Sequence, residues 1–258
     1  MDTKRETLLP LATYASVATA ILLVGLKTWA WLASGSVSLL ASLVDSLTDS
    51  LASIVNLFAV RLALRPADDN HPFGHGKAES LSALAQSAFI GGSAVFLLLN
   101  AVERLLHPQP LQQTTLGIAV MLVSLLLTLA LVLFQRWVLR RAQSQAVSAD
   151  SLHYVTDFAS NIVVLVALVL AAWGWQRADA VLALLLGGWI FWSAAKIAIE
   201  AVNTLMDKAL PPADVARIEA AALAVPGVLG IHDLRTRLSG ARQRHGGVAK
   251  IGTRIHPA

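Results

Sequence analysis

Residues 37–64 read VSLLASLVDSLTDSLASIVNLFAVRLAL, and the fold is decided by how this stretch is read. It is apolar and long enough to cross a bilayer, which takes ~20 such residues at 1.5 Å rise each. Yet Asp45 and Asp49 lie well inside it. On a helix, their four-residue spacing puts both carboxylates on one face. Each acidic group near the bilayer centre costs roughly 2.5–3.5 kcal/mol, so a pair retained there marks a functional site.

Working outward, the 258 residues are 56% hydrophobic and 14% charged, with a mean hydropathy of +0.64. An ordinary soluble domain carries about 25% charged residues, so a membrane protein is expected and a soluble enzyme is not. Apolar runs fall at Leu11–Ala33, Val37–Leu64, Ser80–Leu106, Thr114–Leu139, Val147–Trp173 and Ala178–Val202, predicting six transmembrane helices. The first is no signal peptide: it is long, has no small-residue cleavage pattern and passes into the second span through Ser34-Gly35-Ser36. Eight basic flanking residues, Lys4, Arg5, Arg61, Arg65, Lys77, Arg136, Arg140 and Arg141, face two, Arg104 and Arg177, on the other side. This bias puts both termini and the loops 65–79 and 136–146 in the cytoplasm. It also accounts for the net charge of +4 by topology, without nucleic acid. Lys27 and Lys196, inside apolar runs, are expected to snorkel.

A second pair repeats the first. SLHYVTDFASNIV at 151–163 aligns without gaps on LVDSLTDSLASIV at 43–55, setting His153 on Asp45, Asp157 on Asp49 and Thr156 on Thr48. Inverted repeats with a site at mid-membrane produce such a relation. Facing one another, three carboxylates and an imidazole fit a tetrahedral zinc ion. Calcium asks for more oxygens, magnesium keeps its waters, and the histidine favours zinc, iron or cobalt. Without a metal, the same groups form a proton pathway or an interhelical polar clamp. An intramembrane enzyme is not expected: there is no cysteine, no H-E-x-x-H and no serine nucleophile motif.

Between spans two and three, the loop Ala67–Glu79 holds Asp68, His71 and His75, with Asp69 as a spare carboxylate. Pro72, Gly74 and Gly76 break the helix and allow a compact turn, either a solvated connection or a second metal site. After Val202 the composition turns soluble. A helix is expected at Ala213–Ala224 and a strand at Leu229–Leu238, while the basic, Gly-rich tail from Gly240 is left without assigned structure.

These motifs have a family resemblance. Residues 39–81, from LLASLVDSLTDS through HPFGHGKAESL, and ADSLHYVTDFASNIVVL at 149–165 resemble the cation diffusion facilitator family, most closely its bacterial zinc and ferrous-iron efflux members. The resemblance covers about residues 8–239. It implies a homodimer in the bacterial inner membrane. It implies six helices per subunit over 1–207 and a cytosolic α/β domain over 208–258. It implies export of zinc, with iron(II) and cadmium as alternatives, in exchange for protons. Asp45, Asp49, His153 and Asp157 match the family's transport site, and Asp68, His71 and His75 match a cytosol-side metal site. One histidine among three aspartates resembles the branch that handles zinc, cadmium and iron rather than manganese. The C-terminal region departs from the pattern: past Ser239 the expected second strand, helix and closing strand are not readable. The small α/β domain is therefore expected to be incomplete, and His232, His245 and His256 are not assigned as ligands. A non-transporting metal sensor is the alternative that this departure leaves open, and a passive channel is another.

Overall fold

The computed structural model describes residues 2–35, 37–107, 115–173, 175, 177–226, 228, 230–237 and 252–255. Six long helices follow in order: α1 (Asp2–Ser34), α2 (Val37–Ala63), α3 (Lys77–Leu106), α4 (Thr115–Leu139), α5 (Gln145–Ala172) and α6 (Ala178–Leu205). The shortest has 25 residues, about 38 Å at 1.5 Å per residue, more than a ~30 Å hydrocarbon core. Their bounds follow the expected runs closely, apart from α1, which begins well before Leu11. Thr114, where span four was expected to begin, lies outside the described residues.

Five of these helices, α1 to α4 and α6, are long and apolar enough to cross a membrane. Among the described residues α5 is the exception to the expected six.

The burial pattern is that of a protein solvated by lipid. Trp29, Phe58, Phe96, Leu126 and Trp192 stand exposed on the helix surfaces, whereas Ser16, Ser53, Asn56, Gln135 and Asp150 are buried. Polar side chains in hydrocarbon must find one another, so they face the bundle interior. Small residues allow close helix approach. Ile90 and Ala94 on α3 pack against Ile190 and Ala194 on α6. A Cβ at Gly187 would meet Leu98 Cγ and Cδ2 at 2.9 Å, so only glycine fits there without a shift. On the other side, Leu9, Ala12, Val60, Val138, Ala146 and Val147 join α1, α2, α4 and α5.

Beyond α6 stands a small α/β region: α7 (Pro212–Leu223), with proline in its first turn, and β1 (Ile231–Arg235). Leu229 and Leu238, the expected limits of that strand, lie outside the described residues. One expectation is corrected here. The tail left without structure carries β2 (Gly252–Ile255), antiparallel to β1 with Ile231 opposite Ile255 and His232 opposite Arg254. Backbone pairing does not need the alternating apolar pattern that reading from sequence relies on. His245 and His256 lie outside the described residues.

Candidate metal centre

Helices α2 and α5 bring part of the expected set together. His153 Nε2 lies 2.9 Å from Asp49 Oδ1 and 3.7 Å from Asp157 Oδ2. One ligand atom from each of the three falls within 4.8 Å of the others. Donors held 2.0–2.2 Å from one tetrahedral ion stand roughly 3.4 Å apart, so these separations bracket the spacing of a single zinc-sized cation. His153 is 9% exposed and its ring is flanked edge-on by Phe89 and Tyr154. A cavity of about 260 Å³ opens beside it, lined among others by Thr48, Gln86 and Asp150.

Asp45 is not in this close group. It sits one turn from Asp49 on α2 and is exposed, although its charge still acts on Asp49 and His153. The aligned threonines behave alike: Thr48 and Thr156 each donate to the carbonyl four residues back, Val44 and Leu152. This keeps both hydroxyls on their own helices and leaves the carboxylates and imidazole as the groups that reach across.

The loop residues also converge. Asp68 Oδ1 accepts from the His71 backbone N–H at 2.6 Å and lies 3.2 Å from His71 Nδ1. His75 Nε2 is 3.4 Å from Asp68 Oδ2, and the two imidazoles stand 4.5 Å apart. The three form the second group of ligand atoms within 4.8 Å, at the surface; Asp69 is outside it. The His71 backbone bond, followed by the nearby imidazoles, holds the Asp68 carboxyl below the usual range, so it stays an anion that can ligate. Gly74 allows the turn with φ +79°. The loop is tied down by Lys77, whose Nζ reaches Asp207 Oδ1 at 3.0 Å and the Leu205 carbonyl at 2.9 Å. Arg237 pairs with Asp207 at 3.3 Å and lies over the Phe73 ring at 4.0 Å. The Asp207 carboxyl, desolvated in part, is nevertheless pulled below the usual range by the Lys77 and Arg237 charges.

Two features were missed in the sequence. Asp150, three residues before His153, is fully buried: its Oδ2 accepts from Ser16 Oγ at 2.6 Å and from Gln135 Nε2 at 2.7 Å. Tyr154 donates to the Ser16 carbonyl and shares a hydrogen bond with Ser53. The i, i+3 spacing of Asp150 from His153 was the available signal. Lys27, expected to snorkel, donates from its Nζ to Ser46 Oγ at 2.6 Å and to the Ser42 carbonyl at 3.2 Å on α2. Lys196 lies against the Trp192 ring, 5.9 Å from its centroid.

Known proteins share this arrangement of sequence. Residues 13–206 match the cation efflux transmembrane domain, and residues 210–244 match the cytoplasmic domain of cation efflux proteins. The chain belongs to the cation diffusion facilitator family. It is 54% identical over 229 residues to the cation-efflux pump FieF of Klebsiella pneumoniae, covering 89% of this chain and 76% of that protein. The pump of the same name from Yersinia enterocolitica is 52% identical over 240 residues, 93% of this chain and 80% of that protein. The one from Escherichia coli O139:H28 is 53% identical over 229 residues. The cytoplasmic-domain match extends past Ser239, where the resemblance was expected to stop.

Proposed function

We propose that this cation diffusion facilitator exports divalent cations from the bacterial cytoplasm in exchange for protons. Zinc is the leading substrate, with iron(II) and cadmium beside it. One observation carries the reading: Asp49, His153 and Asp157 converge between α2 and α5. Family membership, with relatives named cation-efflux pumps, supports the direction of transport.

In this reading α5 is the sixth span. Its 28 residues suffice for length, and its polar first half is turned toward α1, α2 and α4 rather than lipid. Residues 1–207 form the transmembrane domain, and 208–258 a cytosolic one through which two copies associate. The metal enters from the cytoplasm and exchanges water for Asp49, His153, Asp157 and Asp45, the last brought in from one turn away. The helices then turn the site to the opposite face. These ligands bind metal only when deprotonated, so loading releases protons and protonation releases metal. His153 can couple the two because its imidazole must be free of a proton to ligate the metal and can take one up when the metal leaves. The Asp68, His71 and His75 group is a second, cytosolic metal site outside the translocation path.

The test is zinc uptake into inverted vesicles with and without an imposed pH gradient. The parent should transport only with the gradient, and Asp157→Ala should not transport at all. Zinc binding without flux would identify a sensor, and flux without a gradient a channel. Parental flux in Asp157→Ala would overturn the site.

A further inference from the structure

We propose that Lys27 is the resident counter-charge of the intramembrane carboxylates, a fixed cation that keeps the bound metal loose enough to leave. This rests on reading Asp45, Asp49, His153 and Asp157 as the cation site. Lys27 lies seven residues inside the Ser34 end of α1, about 10 Å along the helix. From that depth a lysine can extend to the interface, and that is the cheaper course in lipid. Here the ammonium turns to α2 instead, donating to Ser46 Oγ at 2.6 Å and the Ser42 carbonyl at 3.2 Å. Those two residues bracket Asp45, and Ser46 is itself buried. The fields of Asp45, Asp49 and Asp157 all reach the ammonium. It is anchored by neutral partners and is not paired with any of the three carboxylates among the described ion pairs, so it acts on the site without occupying it.

The charge count gives this position a purpose. Three carboxylates with a neutral imidazole carry −3, and a divalent ion leaves −1. Lys27 brings the loaded site to zero inside a low-dielectric membrane. The same positive charge repels the metal. Without it the site would hold the ion more tightly and return it more slowly.

The sign of this effect separates it from a structural role, because damage to the helix packing weakens binding whereas loss of a counter-charge strengthens it. The experiment uses full-length protein in nanodiscs and proteoliposomes. His71→Ala and His75→Ala are present throughout, so that titration with zinc alone reads the intramembrane site. Lys27→Met and Lys27→Gln should bind zinc at least roughly tenfold more tightly, the scale of a unit charge acting across several ångströms of protein. Both should show a lower KM and a lower kcat for zinc uptake. Lys27→Arg should match the parent. Equal or weaker binding in the Gln variant, which keeps a donor for Ser46, would overturn the proposal, as would equal tightening by Arg. Asp157→Ala in the same background separates the two layers. If it leaves zinc binding unchanged, the site reading fails; if it abolishes binding while the Lys27 variants match the parent, only the counter-charge fails.

Discussion

Replacing Asp150 by alanine tests whether buried polar pairing, rather than apolar packing alone, holds α5 in place. The carboxylate accepts from Ser16 on α1 at 2.6 Å and from Gln135 on α4 at 2.7 Å, so one side chain joins three helices. Hydrogen bonds contribute about 0.5–1.5 kcal/mol each between neutral groups and about 1.5–3 kcal/mol each to a charged one. The full sum is not lost, because the donors have second partners. Ser16 also bonds the Ala12 carbonyl at 3.1 Å, and Gln135 also bonds Ser16 Oγ at 2.9 Å. Asp150→Ala should therefore cost about 2–4 kcal/mol, with the vacated space included. Asn should behave differently. Its carbonyl oxygen, in the place of Oδ2, can accept from both Ser16 and Gln135. The expected cost is below about 1 kcal/mol. Thermal unfolding of the protein in one detergent reads the difference, at about 2–4 °C per kcal/mol for a chain of this size. Alanine should lower Tm by roughly 5–15 °C and asparagine by less than about 4 °C. An alanine variant as stable as the parent would refute the pairing argument. An asparagine variant as unstable as alanine would show that the charge, not the hydrogen bonds, matters.

Three further outcomes are expected. Gly187→Ala should destabilise by about 1–3 kcal/mol, since its Cβ would meet Leu98 at 2.9 Å, and Leu98→Ala should restore most of the loss in the double variant; a thermal-unfolding cycle with no coupling would contradict this. His153→Asp replaces the one nitrogen donor by oxygen, so zinc should lose ground to manganese in vesicle competition assays, and the pH profile of export should move toward acid. A variant with the parent's preference and profile would remove His153 from the ligand set. His71→Ala with His75→Ala should abolish zinc binding at the surface loop while leaving transport measurable; complete loss of flux would put the loop on the translocation path.

What the sequence determined on its own was local. Apolar runs located all six long helices, five of which are long and apolar enough to cross a membrane among the described residues, because burial in lipid demands a continuous apolar stretch. Four-residue spacing put Asp45 with Asp49 and His153 with Asp157, because helix geometry alone sets which side chains share a face. The loop triad was also legible, since Pro72, Gly74 and Gly76 confine Asp68, His71 and His75 to one short turn. Tertiary structure decided what depends on how one helix is rotated against another. It drew Asp49, but not Asp45, into the close group with His153 and Asp157. It turned Lys27 to α2 instead of the interface, and set Asp150 between Ser16 and Gln135, residues more than a hundred positions apart. It paired β2 with β1, although nothing in GTRI marks a strand. Each of these contacts is chosen by a partner distant in sequence, and a helix or strand read alone carries its own period but not the angle at which its neighbour meets it.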